Sequence, residues 1–300
     1  MRLSILDNGH RLRARVFFGA VALMSRVDMS DVPKTLLYRP EFFGRALLDL
    51  SAAVMRGPSF WTAGEREYMA MVTARWHQCP YCAESHTEMV RIAGVGEIDA
   101  ADPDSARSEL RAVLGFLEPV SRTPEQVGAA ELAAVRDAGV PDAAIVAALH
   151  VNVIWNVVNR LANAFGFELR PGHLEKGTRS LHRFGYRFPD FLTRTKGDSR
   201  SDDGPAGYVE DLRRSVFASD AVVDRAIRAA AGSGDPLPEE WADYAALVRD
   251  ASFKVTDADV SRLTAAGHSE DEIFEVTVAV AVGAALRSLE AGRQALAAVG

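Results

Sequence analysis

The sequence predicts an all-α protein. Three observations carry that prediction. Apolar residues recur at steps of three and four over most of the chain, start and stop signals bracket those stretches, and no alternating apolar–polar run rivals them. The chain has 300 residues, 48% of them apolar, enough for a substantial core in one large domain or two ordinary ones.

The N-terminal stretch MRLSILDNGHRLRARVFFGAVALM places arginines before a short apolar run. That run lacks a convincing cleavage site and leads into charged sequence, so it reads as a helix of the mature chain rather than a signal peptide. The next helix spans Pro40 to Met55, with its proline in the first turn and Phe43, Leu47, Leu50 and Val54 on one stripe. Thr62 and Glu65 form a capping box for the helix that carries Tyr68, Met69 and Val72. Cys79 precedes Pro80, and proline suits the first helical position. Cys79 is therefore placed at an N-cap, Cys82 in the first turn, and the helix end near Gly94.

Ser105 to Val120 also reads as helix, and Thr123-Pro124 starts another, with Glu125 and Gln126 in its first turn and Gly139 at its end. Pro141 and Asp142 open the longest, PDAAIVAALHVNVIWNVVNRLANAFG, which Gly166 closes. The composition changes from Arg170 to Gly207. The aromatics of RPGHLEKGTRSLHRFGYRFPDF are expected to pack on the body, whereas TRTKGDSRSDDGPAG reads as a linker. Helices resume near Tyr208, and the last runs from Asp271 towards Ala298. Its apolar stretch VTVAVAVGAAL is too short to span a membrane.

An internal echo links the two halves of the chain. VGAAELAAVRDAGVPDAAIVAALHVNV aligns without a gap on VTDADVSRLTAAGHSEDEIFEVTVAVA, pairing Val127 with Val255, Gly139 with Gly267 and Ile145 with Ile273. Two unrelated helix pairs of like composition would also give such an echo, but a diverged duplication is the expectation. It predicts two copies related by a rotation, imitating a dimer of shorter chains. The resulting organisation is a domain at 1–170, a linker and packing segment at 171–207, and a degenerate helical repeat at 208–300 with no cysteine pair.

The formal charge of −7, without a basic patch interleaved with aromatics, argues against a nucleic-acid partner. Two cysteines cannot make a disulfide framework for this length, and one purposeful pair fits the cytoplasm better than a secreted location. No membrane partner is expected.

Cys79 and Cys82 lie about one helical turn apart, close enough for a disulfide when oxidised. Amides at the helix start favour an anion on the N-terminal thiol. His86 follows Cys82 by four residues on the same face, and a helical hairpin through Arg75–Gln78 would return Glu67 beside it. These groups suit peroxide reduction. A thiolate attacks the peroxide and becomes a sulfenic acid, Glu67 and His86 manage the proton, and the second thiol closes a disulfide that an external dithiol reduces. Zinc is the competing chemistry, because His77, Cys79, Cys82 and His86 offer two sulfurs and two nitrogens. All four lie within ten residues across a helix junction, whereas structural zinc sites draw ligands from two segments. The expectation is a redox dithiol with no metal and no cofactor. Asn152, Asn156 and Asn159 share a helical face as candidates to line the pocket, against the competing assignment of hydrogen bonding within the core. Trp155, Phe165 and Phe167 read as core or interface residues.

Taken whole, EREYMAMVTARWHQCPYCAESH resembles the carboxymuconolactone decarboxylase superfamily, in its alkylhydroperoxidase D-like branch. The pattern is Glu67, a twelve-residue step to Cys79, then Cys82 and His86. AGVPDAAIVAALHVNVIWNVVNRLANAFG, with Asn156, Asn159 and Arg160, resembles the family's second conserved region, so the likeness spans roughly Pro40 to Gly166. The resemblance implies an all-helical bundle assembling as a homo-oligomer. It implies Cys82 as the peroxide-attacking thiol, Cys79 as its resolving partner, and Glu67 with His86 as the acid–base relay. Its substrate would be an organic hydroperoxide and its reductant an external dithiol or redox protein. The best-characterised pattern carries histidine immediately before the second cysteine, where this chain has Tyr81, whose phenol does not shuttle protons near neutral pH. The alternatives are a decarboxylase-like enzyme on a small carboxylated substrate, which needs no dithiol, and a non-enzymatic helical interaction protein.

Overall fold

The structure is a computed structural model describing residues 1–194 and 204–298. Among the described residues there are sixteen α-helices, with five short 3₁₀ or π elements, and no named β-strand. In chain order the α-helices are α1 (Ile5–Asn8), α2 (Leu12–Ser25), α3 (Asp31–Tyr38), α4 (Arg45–Arg56), α5 (Ala63–Trp76) and α6 (Pro80–Ala93). Next come α7 (Ser108–Arg122), α8 (Ala129–Asp137), α9 (Asp142–Phe165), α10 (Thr178–Phe184) and α11 (Asp190–Thr193). The set closes with α12 (Gly204–Phe217), α13 (Arg225–Ser233), α14 (Glu239–Ala251), α15 (Asp257–Ala265) and α16 (Glu270–Ala297).

Local signals explain most boundaries. Thr62 and Glu65 form the expected capping box of α5. Cys79 caps α6 with Pro80 at its first position, and Gly94 ends it. Gly166 closes α9 in the left-handed conformation, φ 66°. Phe43, Leu47, Leu50 and Val54 are buried together, although Pro40–Gly44 forms a π-type turn before α4 begins. Two expectations need correction. The helix expected from Ser105 starts at Ser108, because Pro103–Ser105 forms a 3₁₀ turn capped by Asp102. Thr123-Pro124 likewise opens only a 3₁₀ turn. Helix α8 starts after Gly128, whose amide is met by the Glu131 carboxylate. Of the stretch expected as a linker, 195–203 lies outside the described residues.

The core is organised on the two longest helices. α9 and α16 pack along each other, α5 and α7 lie against α9, and α13 and α14 lie against α16. α9 is long and apolar enough to cross a bilayer, but 89% of its apolar window is buried within the protein, so core packing accounts for its apolarity.

The echoed segments fold alike. Their 3₁₀ turns (Pro124–Gln126, Ser252–Lys254), nine-residue helices (Ala129–Asp137, Asp257–Ala265) and long-helix starts (Asp142, Glu270) all lie 128 positions apart. Gly139 and Gly267, also 128 apart, are both left-handed at φ 75° and 98°. α9 and α16 run antiparallel, with Leu149 near Gly292, His150 at Arg293 and Phe165 stacked on Phe274. Those pairs centre on Asn156 opposite Ala284, which are themselves 128 apart. The flanking contacts are reciprocal. α16 meets α7 and the Pro124–Gln126 turn, while α9 meets α14 and the Ser252–Lys254 turn. Reciprocity of this kind is what a two-fold interface produces.

Candidate active site

The α5–α6 hairpin brings the chemistry of the sequence together. α5 ends in a Schellman arrangement: the Gln78 amide donates to the Arg75 carbonyl at 3.1 Å and the Cys79 amide to the Ala74 carbonyl at 2.9 Å. Gln78 takes the left-handed position at φ 50°, where glycine is usual. The same reversal delivers Cys79 as the cap of α6, its Sγ accepting from the Cys82 amide at 3.4 Å. At the open end of the hairpin, a Cβ on Gly64 would lie 2.5 Å from the Gly94 Cα, so two glycines permit the closest approach of the helices. Glu67, one turn past Gly64, consequently meets His86 across the hairpin.

Glu67 is fully buried and has three partners. His86 Nδ1 lies 2.8 Å from its Oε2, Arg56 Nη2 donates to Oε1 at 2.6 Å, and the Tyr186 hydroxyl donates to both oxygens at 2.8 and 3.0 Å. Burial would push the Glu67 carboxyl up, but the hydrogen bond and charge of His86, joined by those of Arg56, outweigh it and hold the carboxyl below its ordinary value. An ionised carboxylate only accepts, so His86 Nδ1 carries the proton of that bond, and Nε2 is the nitrogen left to gain or lose one. The His86 ring meets the Trp155 ring edge-on at 3.9 Å.

Arg56 and Tyr186 carry no motif in the sequence, yet they complete this cluster. Arg56 ends α4, and its guanidinium lies 5.0 Å from the Tyr186 ring centre and 3.3 Å from His182 Nδ1. Tyr186 follows Gly185, which terminates α10, and both residues are left-handed, at φ 61° and 64°. A tyrosine there is strained, and its hydroxyl on Glu67, its ring against Arg56 and Trp155 and its amide on the Leu181 carbonyl together offset that cost. Burial and then the Glu67 charge push the Tyr186 phenol well up, so it stays a neutral donor. The 170–194 segment thus contributes Tyr186 to the site, whereas Phe184 and Phe191 of the same stretch are 63% and 57% exposed.

Both thiols are free and buried, Cys79 1% and Cys82 2% exposed. Burial, then the hydrogen bond and charge of Cys79, push the Cys82 thiol well above its ordinary value. Tyr81 packs on Phe167 at 5.5 Å, roughly 140° round α6 from His86, with its phenol pushed up by burial and by Cys82. His77 lies beside Arg160 and Asn156, and burial with the Arg160 charge holds its ring neutral. Among the described residues, no three His, Cys, Asp or Glu side chains converge to hold a metal ion.

The three asparagines of α9 divide. Asn152 donates to Ser121 Oγ at 2.6 Å, Asn156 donates to Asn152 Oδ1 at 2.7 Å, and Arg160 donates to Asn156 Oδ1 at 2.5 Å. Asn159 has no such partner on either amide atom.

No family model matches the sequence, and no curated protein matches it. Several solved structures are similar in fold, two of which follow. One is an alkylhydroperoxidase AhpD core, an uncharacterized peroxidase-related protein from Ralstonia eutropha JMP134, with 23% identity and a TM-score of 0.47 over 57% of this chain and 92% of that one. The other is an uncharacterized peroxidase-related protein from Silicibacter sp. TM1040, with 22% identity and a TM-score of 0.45 over 54% of this chain and 87% of that one.

Proposed function

We propose that the protein reduces hydroperoxides through the Cys79–Cys82 dithiol. The observation that carries this reading is the placement of a buried, ionised Glu67 on Nδ1 of His86, with Cys82 one helical turn from His86 on the same face. A thiol whose burial disfavours the thiolate needs a base beside it, and His86 Nε2, backed by the Glu67 carboxylate, is that base.

Cys82 gives its proton to His86, and its sulfur attacks the terminal oxygen of the hydroperoxide. An S–O bond forms, the O–O bond breaks, and sulfur is oxidised by two electrons to the sulfenic acid. The departing alkoxide takes the proton back from His86 and leaves as the alcohol. Cys79 then attacks the sulfenic sulfur, water departs, and the resulting disulfide is reduced by an external dithiol of small-molecule or protein origin. Tyr186 and Arg56 act through Glu67 and are positioning residues.

The same reading treats 208–300 as a diverged second copy without a dithiol, supplying through α16 the surface that a partner subunit would supply to α9. Its support is the common 128-residue spacing and the reciprocal packing of the two copies.

The test is turnover of an organic hydroperoxide with a dithiol reductant in parent, Cys82→Ser and Cys79→Ser proteins. Cys82→Ser is expected to abolish turnover, whereas Cys79→Ser permits one attack and then stalls. Unchanged peroxide consumption by Cys82→Ser would refute the reading.

A further inference from the structure

Asn159 is 0% exposed, and neither its Oδ1 nor its Nδ2 has a hydrogen-bond partner. A buried amide with both ends unpaired is costly, and native interiors rarely keep one without a use for it. Its neighbours on α9 fix its level along the hairpin. One turn before it, Trp155 touches the His86 ring at 3.9 Å. One turn after it, Asn163 donates to the His77 carbonyl at 3.0 Å. α9 therefore runs antiparallel past the start of α6, and the level of Asn159 is one turn back from His86. On the His86 face of α6, that level is occupied by Cys82. The Trp155 Nε1 on the preceding turn is also buried without a partner. Asn152 and Asn156, by contrast, are committed to the chain from Ser121 to Arg160.

We propose that Asn159 is the hydroperoxide-binding residue of the site, an inference that rests on the peroxidase reading above. A carboxamide presents a donor and an acceptor side by side, and a hydroperoxide presents the complement on adjacent oxygens. Asn159 Oδ1 accepts from the terminal O–H, and Nδ2 donates to the inner oxygen. The inner oxygen gains negative charge as the Cys82 sulfur attacks the terminal one. The S–O bond forms while the O–O bond breaks, and the alkoxide that leaves is held by the Nδ2 donor until His86 protonates it. The amide thus favours hydroperoxides over dialkyl peroxides, which have no O–H to donate.

The experiment compares reduced parent protein with Asn159→Leu, which keeps the side-chain volume and removes both polar atoms, and with Asn159→Ala as a second variant. Three quantities are read: the single-turnover rate of thiol oxidation by tert-butyl hydroperoxide, the rate of alkylation by iodoacetamide, and the urea midpoint. Alkylation needs the thiolate but not the amide. The expected result is peroxide oxidation slowed roughly 100-fold in both variants, alkylation within about twofold of the parent, and an Asn159→Leu midpoint equal or higher because an unpaired amide is gone. An unchanged peroxide rate in either variant overturns the proposal. So does a lowered Asn159→Leu midpoint with both rates falling together, which makes the amide structural. A parent protein whose thiols ignore hydroperoxide overturns the peroxidase reading first, and this inference with it.

Discussion

Tyr186→Phe removes one hydroxyl from the site and leaves its packing in place. The hydroxyl donates to both Glu67 oxygens at 2.8 and 3.0 Å, while the ring keeps Arg56 at 5.0 Å and Trp155 at 6.0 Å. A hydrogen bond to a charged acceptor contributes about 1.5–3 kcal/mol, and its loss from a buried anion is not made good by water. Stability at pH 8 should therefore fall by about 2 kcal/mol. The bond favours the ionised carboxyl, so the variant's Glu67 pKa should rise towards its ordinary value. The sign follows from linkage. The folded carboxyl is held below its ordinary value, so its contribution is full above the ordinary carboxylate range and is lost as pH falls through the folded pKa. The difference between parent and variant should be largest at pH 8 and shrink as Glu67 protonates in both. Urea unfolding followed by far-UV circular dichroism at pH 8 and at about pH 3.5 measures it. No loss at pH 8, or an equal loss at both pH values, would refute the account of Glu67 as an anion held by three donors.

Two further predictions concern the scaffold. Gly64→Ala should place a methyl group 2.5 Å from the Gly94 Cα and force α5 and α6 apart. It should cost about 1–3 kcal/mol by urea unfolding and slow thiol oxidation, because Glu67 and His86 face each other across that gap. His150 is buried with its Nε2 3.3 Å from Arg293, and burial followed by the Arg293 charge lowers its pKa from 6.5 to about 4. Between those values the unfolded chain binds a proton that the folded ring does not, so stability should fall with acidification by up to about 3 kcal/mol. His150→Leu should flatten that slope when urea midpoints at pH 7 and pH 4.5 are compared, with His77 leaving a residual one because its ring is also held neutral.

The contrast between what the sequence displays and what it conceals follows contact range. The α5–α6 hairpin is legible because Thr62, Glu65, Cys79, Pro80 and Gly94 act on amides within a few residues of themselves. Glu67 and His86 meet because the turn between their helices is short. The ambiguity at Thr123-Pro124 is also local, since a proline after threonine suits a 3₁₀ turn as well as a helix. Residue 128 is glycine, and a glycine can act as an N-cap without supplying a side chain. Tyr186 is another matter. It lies 119 residues from Glu67, and nothing in FGYR announces a hydroxyl for a buried carboxylate. Arg56 lies eleven residues before Glu67, at the end of the preceding helix. Its place at a helix end beside Gly57 gives the signal only once Glu67 is known to be buried. Asn159 is indistinguishable in sequence from Asn152 and Asn156. Only the hydrogen-bond partners of the folded chain separate them.

The central claim is that Cys79 and Cys82 form a peroxide-driven redox pair. Its most direct test is intact-mass and peptide analysis of fully reduced protein after one equivalent of hydroperoxide. The expected result is loss of both free thiols and a peptide containing a Cys79–Cys82 disulfide, with Cys79→Ser trapped as a sulfenic acid on Cys82. Two thiols still free after that treatment, in a protein that remains folded, would contradict it.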